Sequence, residues 1–128
     1  PNIGLPPAQF AELAEQAWLG GLDIAKDDEM LADTPWSPVA DRAELLDAAR
    51  RRAEQATGER KLYMANVTDE VWLMGPLHDR LKQLGVGALL LNTLPAGFSA
   101  LRMLRGHGTL PLFAHFPMLA ALTRVPGY

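Results

Sequence analysis

Four short apolar segments separated by helical segments constrain the fold of this chain most strongly. The segments are residues 22–25, 61–66, 88–91 and 110–115, and the third reads Ala-Leu-Leu-Leu without a polar interruption. Continuous apolar strands are typical of parallel sheets that are covered on both faces. Parallel neighbours need crossover connections, which are right-handed and usually helical. The pattern therefore predicts an α/β fold with a parallel sheet.

The segments between these strands carry helical signals. Pro6 and Pro7 suit the start of a first helix, and Gly20 ends it. The clearest helix is predicted over residues 41–57, with Gly58 at its C-cap. Three further helices are predicted over residues 71–84, 99–105 and 118–123, with an interruption at Gly75-Pro76 and loops over residues 30–38, 95–97 and 106–109.

Composition excludes several classes of function. The 128 residues include 12 Lys and Arg against 15 Asp and Glu, a formal net charge of −3, so no excess of positive charge favours nucleic-acid binding. The apolar runs, such as residues 85–91, are far shorter than the roughly 20 residues of a membrane span. The absence of Cys excludes disulfides and thiolate zinc sites, and it fits the cytoplasm, where we expect the protein.

Polar side chains follow each predicted strand at its carboxyl end. In parallel α/β folds this is the end where reactive groups collect. The residues at these ends, in strand order, are Lys26, Asp28 and Glu29; Asn66 and Thr68; Asn92 and Thr93; and His115. This edge of the sheet is therefore the predicted active-site face.

The cluster Lys26-Asp27-Asp28-Glu29 is the sharpest local feature. Strand alternation places Lys26 and Asp28 on one side and Asp27 on the other. Two carboxylates suit a hard divalent cation that prefers oxygen ligands. The Lys26 ammonium would repel that cation unless it reacts with CO2 to form a carbamate, which is an oxygen ligand. The alternative is an ordinary ion pair between the lysine and a carboxylate.

The remaining candidates also allow two interpretations. His115 is either a hydrogen-bonded loop residue or a group that contacts substrate or transfers a proton. Asn66 and Asn92 either cap their strands or bind a ligand. We expect His78, inside a helix, and His107, in a glycine turn, to be surface residues.

Residues 20–29, Gly-Gly-Leu-Asp-Ile-Ala-Lys-Asp-Asp-Glu, closely resemble the metal-site segment of the ribulose bisphosphate carboxylase large-chain superfamily. In that superfamily the lysine becomes a carbamate and binds Mg²⁺ together with the second aspartate and the glutamate. The resemblance therefore implies that Lys26, Asp28 and Glu29 are metal ligands.

The resemblance continues along the chain. Asn66 ends a segment similar to the third strand of the superfamily's barrel. Gly97-Phe98-Ser99 resembles the turn after the fourth strand, which ends at Asn92, and His115 matches the active-site histidine that ends the fifth strand. The resemblance implies that these two asparagines and the histidine bind substrate, and that Lys26 and His115 are catalytic.

Four departures separate the chain from true carboxylases. Phe116 stands where they have an arginine for a substrate phosphate, Leu119 where they have a further histidine, and Asn2 where they have a second lysine. Leu91-Asn92 replaces a His-Asp pair. The pattern resembles instead the form IV group, the RuBisCO-like proteins, which do not fix CO2.

Membership of this group implies an enzyme that acts on a small phosphorylated sugar. Its known members enolise or isomerise phosphorylated ketoses, notably the 5-methylthio-sugar phosphates of methionine salvage. Two alternatives stay open: a transcarboxylase or hydrolase of a keto-sugar-acid phosphate on the same scaffold, or a non-catalytic regulatory homologue. The expected cofactors are Mg²⁺ and a CO2-derived carbamate on Lys26.

The resemblance also implies that residues 1–128 are part of a (β/α)8 barrel, roughly strands one to five, in the C-terminal catalytic domain of the parent protein. A complete barrel needs about 250 residues. Residues 1–5 look like the remainder of the first strand, and the superfamily's catalytic lysine would stand just before Pro1. We expect a homodimer or larger homo-oligomer of the parent protein. We also expect the 128 residues alone to be inactive, with two unprotected sheet edges.

Overall fold

The computed structural model describes residues 4–124, in which four parallel strands alternate with helices. No helix in this range has both the length and the apolar character that crossing a membrane demands. The elements in chain order are α1 (Pro7–Leu19), β1 (Ile24–Lys26), α2 (Val39–Thr57), β2 (Leu62–Asn66), α3 (Val71–Gln83), β3 (Ala88–Asn92), α4 (Thr93–Ala96), α5 (Phe98–His107), β4 (Leu112–His115) and α6 (Leu119–Leu122).

The sheet has the order β1-β2-β3-β4, and every neighbouring pair is parallel. Each crossover between neighbours contains at least one helix, as the apolar strand pattern predicts. All four strands therefore end at the same edge. The predicted α/β fold with a parallel sheet is confirmed, and β1 and β4 are the outer strands of the sheet that residues 4–124 form.

The hydrophobic core lies between the helices and one face of the sheet. Side chains alternate across β2, so Tyr63 and Ala65 are buried against the helices while Leu62 and Met64 are only half-buried on the other face. The helices contribute Trp18, Leu46 and Met74, all without solvent contact. Burial of such side chains contributes about 1.5–3 kcal/mol each to the hydrophobic term.

The second face of the sheet carries no helix from residues 4–124, which differs from the predicted coverage on both faces. Only the central strand β3 is buried throughout. On the outer strands, the side chains of Ile24 and Phe113 on this face are 51% and 46% exposed. In a closed barrel this is the face that lines the interior.

The boundaries differ from the predictions in the segment after β3. Residues 95–97, predicted as a loop, overlap the short helix α4, and α5 reaches His107 rather than residue 105. Gly97 separates the two helices at a φ of 84°, a conformation that only glycine adopts easily. Consequently Gly106 and His107 lie in the last turn of α5 and not in a separate turn.

Helix α3 begins at Val71 without the predicted interruption at Gly75-Pro76. Pro76 removes a donor to the carbonyl of Trp72. Both residues are exposed, so water can serve that carbonyl in place of the missing amide. The expected strand remnant over residues 1–5 lies mostly outside the described residues, as does Asn2, and Gly4 and Leu5 are not in a strand.

Candidate active site at the carboxyl ends of the strands

The strand register places four predicted site residues on the face away from the helices. Lys26 aligns with Met64, and Asn92 aligns with His115. Residues aligned in a parallel sheet point to the same side, so Lys26, Asn66, Asn92 and His115 share one face. They also stand at or next to the carboxyl ends of β1 to β4, which is the predicted active-site edge.

The loop after β1 is fastened to the ends of the next two strands by two asparagines. The Asn66 side-chain amide donates to the backbone carbonyls of Asp28 and Glu29 at 3.2 and 3.1 Å. The Asn92 amide donates to the same Glu29 carbonyl at 2.8 Å. The Oδ1 atom of Asn92 is buried and accepts no hydrogen bond from the described residues.

Glu29 also contacts His115. Its Oε2 lies 3.7 Å from Nε2 of the imidazole, and both side chains keep partial exposure to solvent. The His115 ring stacks on Phe113, with 6.0 Å between ring centroids. Thus Glu29, Asn66, Asn92 and His115 form one connected group, and we call these four residues the strand-end group.

Lys26 and Asp28 lie at the same edge but are engaged elsewhere. The exposed Lys26 ammonium donates to the backbone carbonyl of Asp27 at 3.0 Å, and among the described residues it pairs with no carboxylate. One oxygen of Asp28 accepts the Met30 amide at 2.8 Å, which turns the chain after β1. The ordinary lysine–carboxylate ion pair, the alternative interpretation of the cluster, is absent between these residues.

Sequence reasoning missed the buried network behind this edge. The Asp27 carboxylate, fully enclosed on the helix side, accepts hydrogen bonds from Arg42 at 3.0 Å, from the Tyr63 hydroxyl at 2.9 Å and from the Asn66 backbone amide at 2.9 Å. The same Asn66 binds the loop through its side chain. Asp27 therefore links helix α2 to a residue of the strand-end group.

Arg42 also holds the middle of the loop after β1. Its guanidinium donates to the carbonyls of Ala32 and Leu31 at 3.1 and 3.3 Å and to the carbonyl of Ser37. A signal for this role was present in the sequence, since Arg42 falls on the apolar stripe of α2 beside Ala43 and Leu46. A charged residue at such a position needs a buried partner.

The electrostatics of the network keep its donors and acceptors in fixed roles. Burial raises the pKa of Asp27, and Arg42 opposes that rise. Burial, reinforced by the neighbouring Asp27, raises the pKa of Tyr63 well above 10, so its hydroxyl stays protonated and donates. Burial lowers the pKa of Arg42, but the charges and hydrogen bonds of Asp27 and Tyr63 together outweigh this and leave the pKa raised, so the guanidinium stays charged.

The residues at this edge fit a hard cation. Asp28 and Glu29 supply carboxylate oxygens, the ligands that Mg²⁺ prefers. An unreacted Lys26 does not fit, because its ammonium carries positive charge. Lys26 is exposed and unpaired with a carboxylate of the described residues, so CO2 can reach its amine, and a carbamate there would complete an all-oxygen set.

Comparison with known proteins identifies the relatives of the chain. Residues 1–127 match the family model of the ribulose bisphosphate carboxylase large chain, catalytic domain. A ribulose bisphosphate carboxylase-like protein of Allochromatium vinosum is 62% identical over 125 residues, which is 98% of this chain and 27% of that protein. Ribulose bisphosphate carboxylase-like protein 2 of Rhodopseudomonas palustris is 60% identical over 128 residues, 100% of this chain and 30% of that protein.

Solved structures give the same picture. A rubisco-like protein from Burkholderia fungorum superposes with a TM-score of 0.92 at 29% identity, over 98% of this chain and 31% of that one. A rubisco-like protein (MtnW) from Alicyclobacillus acidocaldarius superposes with a TM-score of 0.87 at 30% identity, over 98% of this chain and 33% of that one. The chain spans 27–30% of the length of these curated relatives.

Proposed function

Because the chain belongs to the ribulose bisphosphate carboxylase large-chain family, among relatives named carboxylase-like proteins, we propose that it forms part of an enzyme that enolises or isomerises a phosphorylated ketose and does not fix CO2. The observation that carries this proposal is the strand-end group, in which three strand ends converge on Glu29. The proposed domain is a partial (β/α)8 barrel over residues 1–128.

The metal ligands in this proposal are Asp28, Glu29 and a carbamate on Lys26. Mg²⁺ bound there would polarise a substrate carbonyl and the neighbouring oxygen, which stabilises the negative charge of an enediolate. Asn66 and Asn92 hold the loop that carries the two carboxylates, and both are proposed to bind the substrate. The carbamate oxygen of Lys26 is the candidate base for the carbon-bound proton.

His115 is proposed to contact the substrate or its phosphate. Its Nε2 lies 3.7 Å from Glu29, and its side chain is 28% exposed on the open face of the sheet. An imidazole in this position can donate a hydrogen bond to a phosphate oxygen, and that bond is strongest when the ring carries positive charge.

The proposed substrate class is inferred from two residues after His115 at which the chain differs from true carboxylases. Phe116 and Leu119 are 42% and 51% exposed, and the Phe116 ring lies 6.4 Å from that of Phe98. Apolar side chains here suit a thioether better than a second phosphate. We therefore favour a 5-methylthio-sugar phosphate of methionine salvage, in line with the similarity to the rubisco-like protein (MtnW). The proposed assembly is a homodimer or larger homo-oligomer.

A substrate assay on the full-length protein tests this function. We expect Mg²⁺-dependent turnover of a 5-methylthio-ketose phosphate and no carboxylation of ribulose bisphosphate. Replacing the predicted carbamate lysine by Lys26→Ala should abolish turnover, because one metal ligand and the candidate base are lost together.

A matched lysine far from the active-site edge provides the control. Lys82 is exposed in α3 and donates to the Thr109 hydroxyl at 2.9 Å, so Lys82→Ala should retain the wild-type rate. Unchanged Mg²⁺-dependent turnover in Lys26→Ala would contradict the proposed metal site. Turnover of a keto-sugar-acid phosphate instead would favour the transcarboxylase or hydrolase alternative.

A further inference from the structure

Two histidines and an aspartate form a cluster on the outer helices, apart from the strand-end group. His78 and Asp79 are neighbours in α3, and His107 is the last residue of α5. One carboxylate oxygen of Asp79 lies 2.8 Å from Nδ1 of His78 and 3.1 Å from Nε2 of His107. Helix α5 runs from the carboxyl end of β3 back to the amino end of β4, so its last residue lies away from the candidate active site.

The sequence predicts His78 at the surface, but the structure shows it buried, with 2% of the residue exposed. Its Nε2 is buried without a hydrogen-bond partner among the described residues, and it faces Gly108, where a Cβ would clash with the ring. A Cβ at position 75 would lie 3.2 Å from the His107 ring, so Gly75 also leaves space for a histidine ring. Two glycines thus allow both rings to turn one nitrogen each towards Asp79.

The three donor atoms have the geometry of metal ligands. All lie within 4.8 Å of one another, and no other group of three His, Asp or Glu side chains within residues 4–124 meets that condition. The 2.8 and 3.1 Å separations between the imidazole nitrogens and the Asp79 oxygen are compatible with bonds of about 2.0–2.2 Å from one ion to imidazole nitrogen and carboxylate oxygen.

We propose that His78, Asp79 and His107 bind one borderline divalent cation of the Zn²⁺ type and thereby link α3 to α5. Two imidazoles and a carboxylate are a donor set of zinc sites with an open position, whereas Mg²⁺ prefers oxygen ligands alone. The side chains of Asp79 and His107 are 56% and 36% exposed, so water can occupy the remaining position. The site is independent of the one proposed around Lys26.

Calorimetric titration of the tag-free, full-length protein with Zn²⁺ tests this site. Excess Mg²⁺ in the buffer competes with Zn²⁺ for the proposed all-oxygen site around Lys26. We expect one Zn²⁺ to bind per chain, and His107→Gln to weaken that binding by about tenfold or more, because loss of a ligand costs at least as much as loss of a supporting contact. His107 is exposed, so this variant should fold normally.

Two further variants sharpen the outcome. Asp79→Asn should weaken Zn²⁺ binding as well, because the neutral amide is a poor ligand. His115→Gln removes a histidine of the strand-end group and should leave Zn²⁺ binding unchanged. The proposal is wrong if the wild type binds no Zn²⁺, or if His107→Gln and Asp79→Asn both bind it as tightly as the wild type.

Discussion

Arg42 and Asp27 place two opposite charges in the core behind the candidate active-site edge, both without solvent exposure. Removing one partner of such a pair leaves the other charge buried and unpaired, which costs far more than the pair contributes. Because Arg42 also binds the carbonyls of the loop after β1, its loss would release the segment that carries Asp28 and Glu29.

Replacing Arg42 by methionine should lower the free energy of unfolding by about 3–5 kcal/mol. The urea midpoint of the full-length protein measures this. The control is Arg51→Met on the same helix, because Arg51 pairs with Asp47 at the surface, with 72% of its side chain exposed. Its loss should cost less than about 1 kcal/mol. Equal midpoints for the two variants would show that the buried pair does not stabilise the fold.

Glu54 gives a prediction about acid stability. A hydrogen bond from the Lys61 backbone amide, followed by Arg50, lowers the pKa of Glu54 below its usual value of 4.5. A lowered pKa in the folded state means that the stabilisation is complete above the unfolded value and is lost as the pH falls through the folded value.

Glu54→Gln should therefore lower the melting temperature at neutral pH and lower it less at about pH 3. Melting curves recorded between these two conditions measure the difference. The matched control is Glu12→Gln on the exposed side of α1, for which we expect no change at either pH. An effect of Glu54→Gln that is the same at both ends of the range would contradict the assigned cause.

At the scale of the elements, the break between α4 and α5 depends on one glycine. Gly97 has a φ of 84° and a ψ of 153°, a region that residues with a Cβ rarely occupy. The chain turns there from the short helix after β3 into the longer helix that returns towards β4. This boundary fixes where α5 begins and hence where its last residue, His107, lies.

Two alanine substitutions near α5 should have opposite signs. Gly97→Ala should destabilise the protein by about 1–3 kcal/mol through backbone strain. Gly106→Ala, inside the helix with open space around its Cα, should stabilise it by about 0.4–1 kcal/mol. Thermal melting of both variants measures this difference. A destabilised Gly106→Ala would mean that α5 does not extend through residue 106.

At the scale of the whole molecule, sequence patterns were sufficient for the fold but not for the contacts at the site. The apolar run over residues 88–91 and the capping glycine Gly58 correctly predict β3 and the end of α2, because local periodicity and capping decide those features. The Arg42–Asp27 pair escaped prediction, since it joins residues 15 positions apart in sequence through tertiary packing.

The candidate site was predicted as a set of residues, and the strand register explains why. Strand ends can be located from apolar runs, so Asn66, Asn92 and His115 can be placed at one edge. What those side chains contact depends on how the loop after β1 folds back, and that loop has no periodic pattern. The buried position of His78 could not be predicted for a similar reason, because it depends on Gly108 in a different segment.

The two asparagines bind the backbone carbonyl of Glu29 and not its side chain. Residue 29 therefore contributes to the shape of the loop through an atom that every amino acid possesses, while its carboxylate contacts His115 and belongs to the proposed metal site. Mutation can exchange the reactive group at this position without rebuilding the loop that presents it. If the proposed function holds, such a separation would let a related protein acquire a new reaction on an unchanged barrel, one side chain at a time.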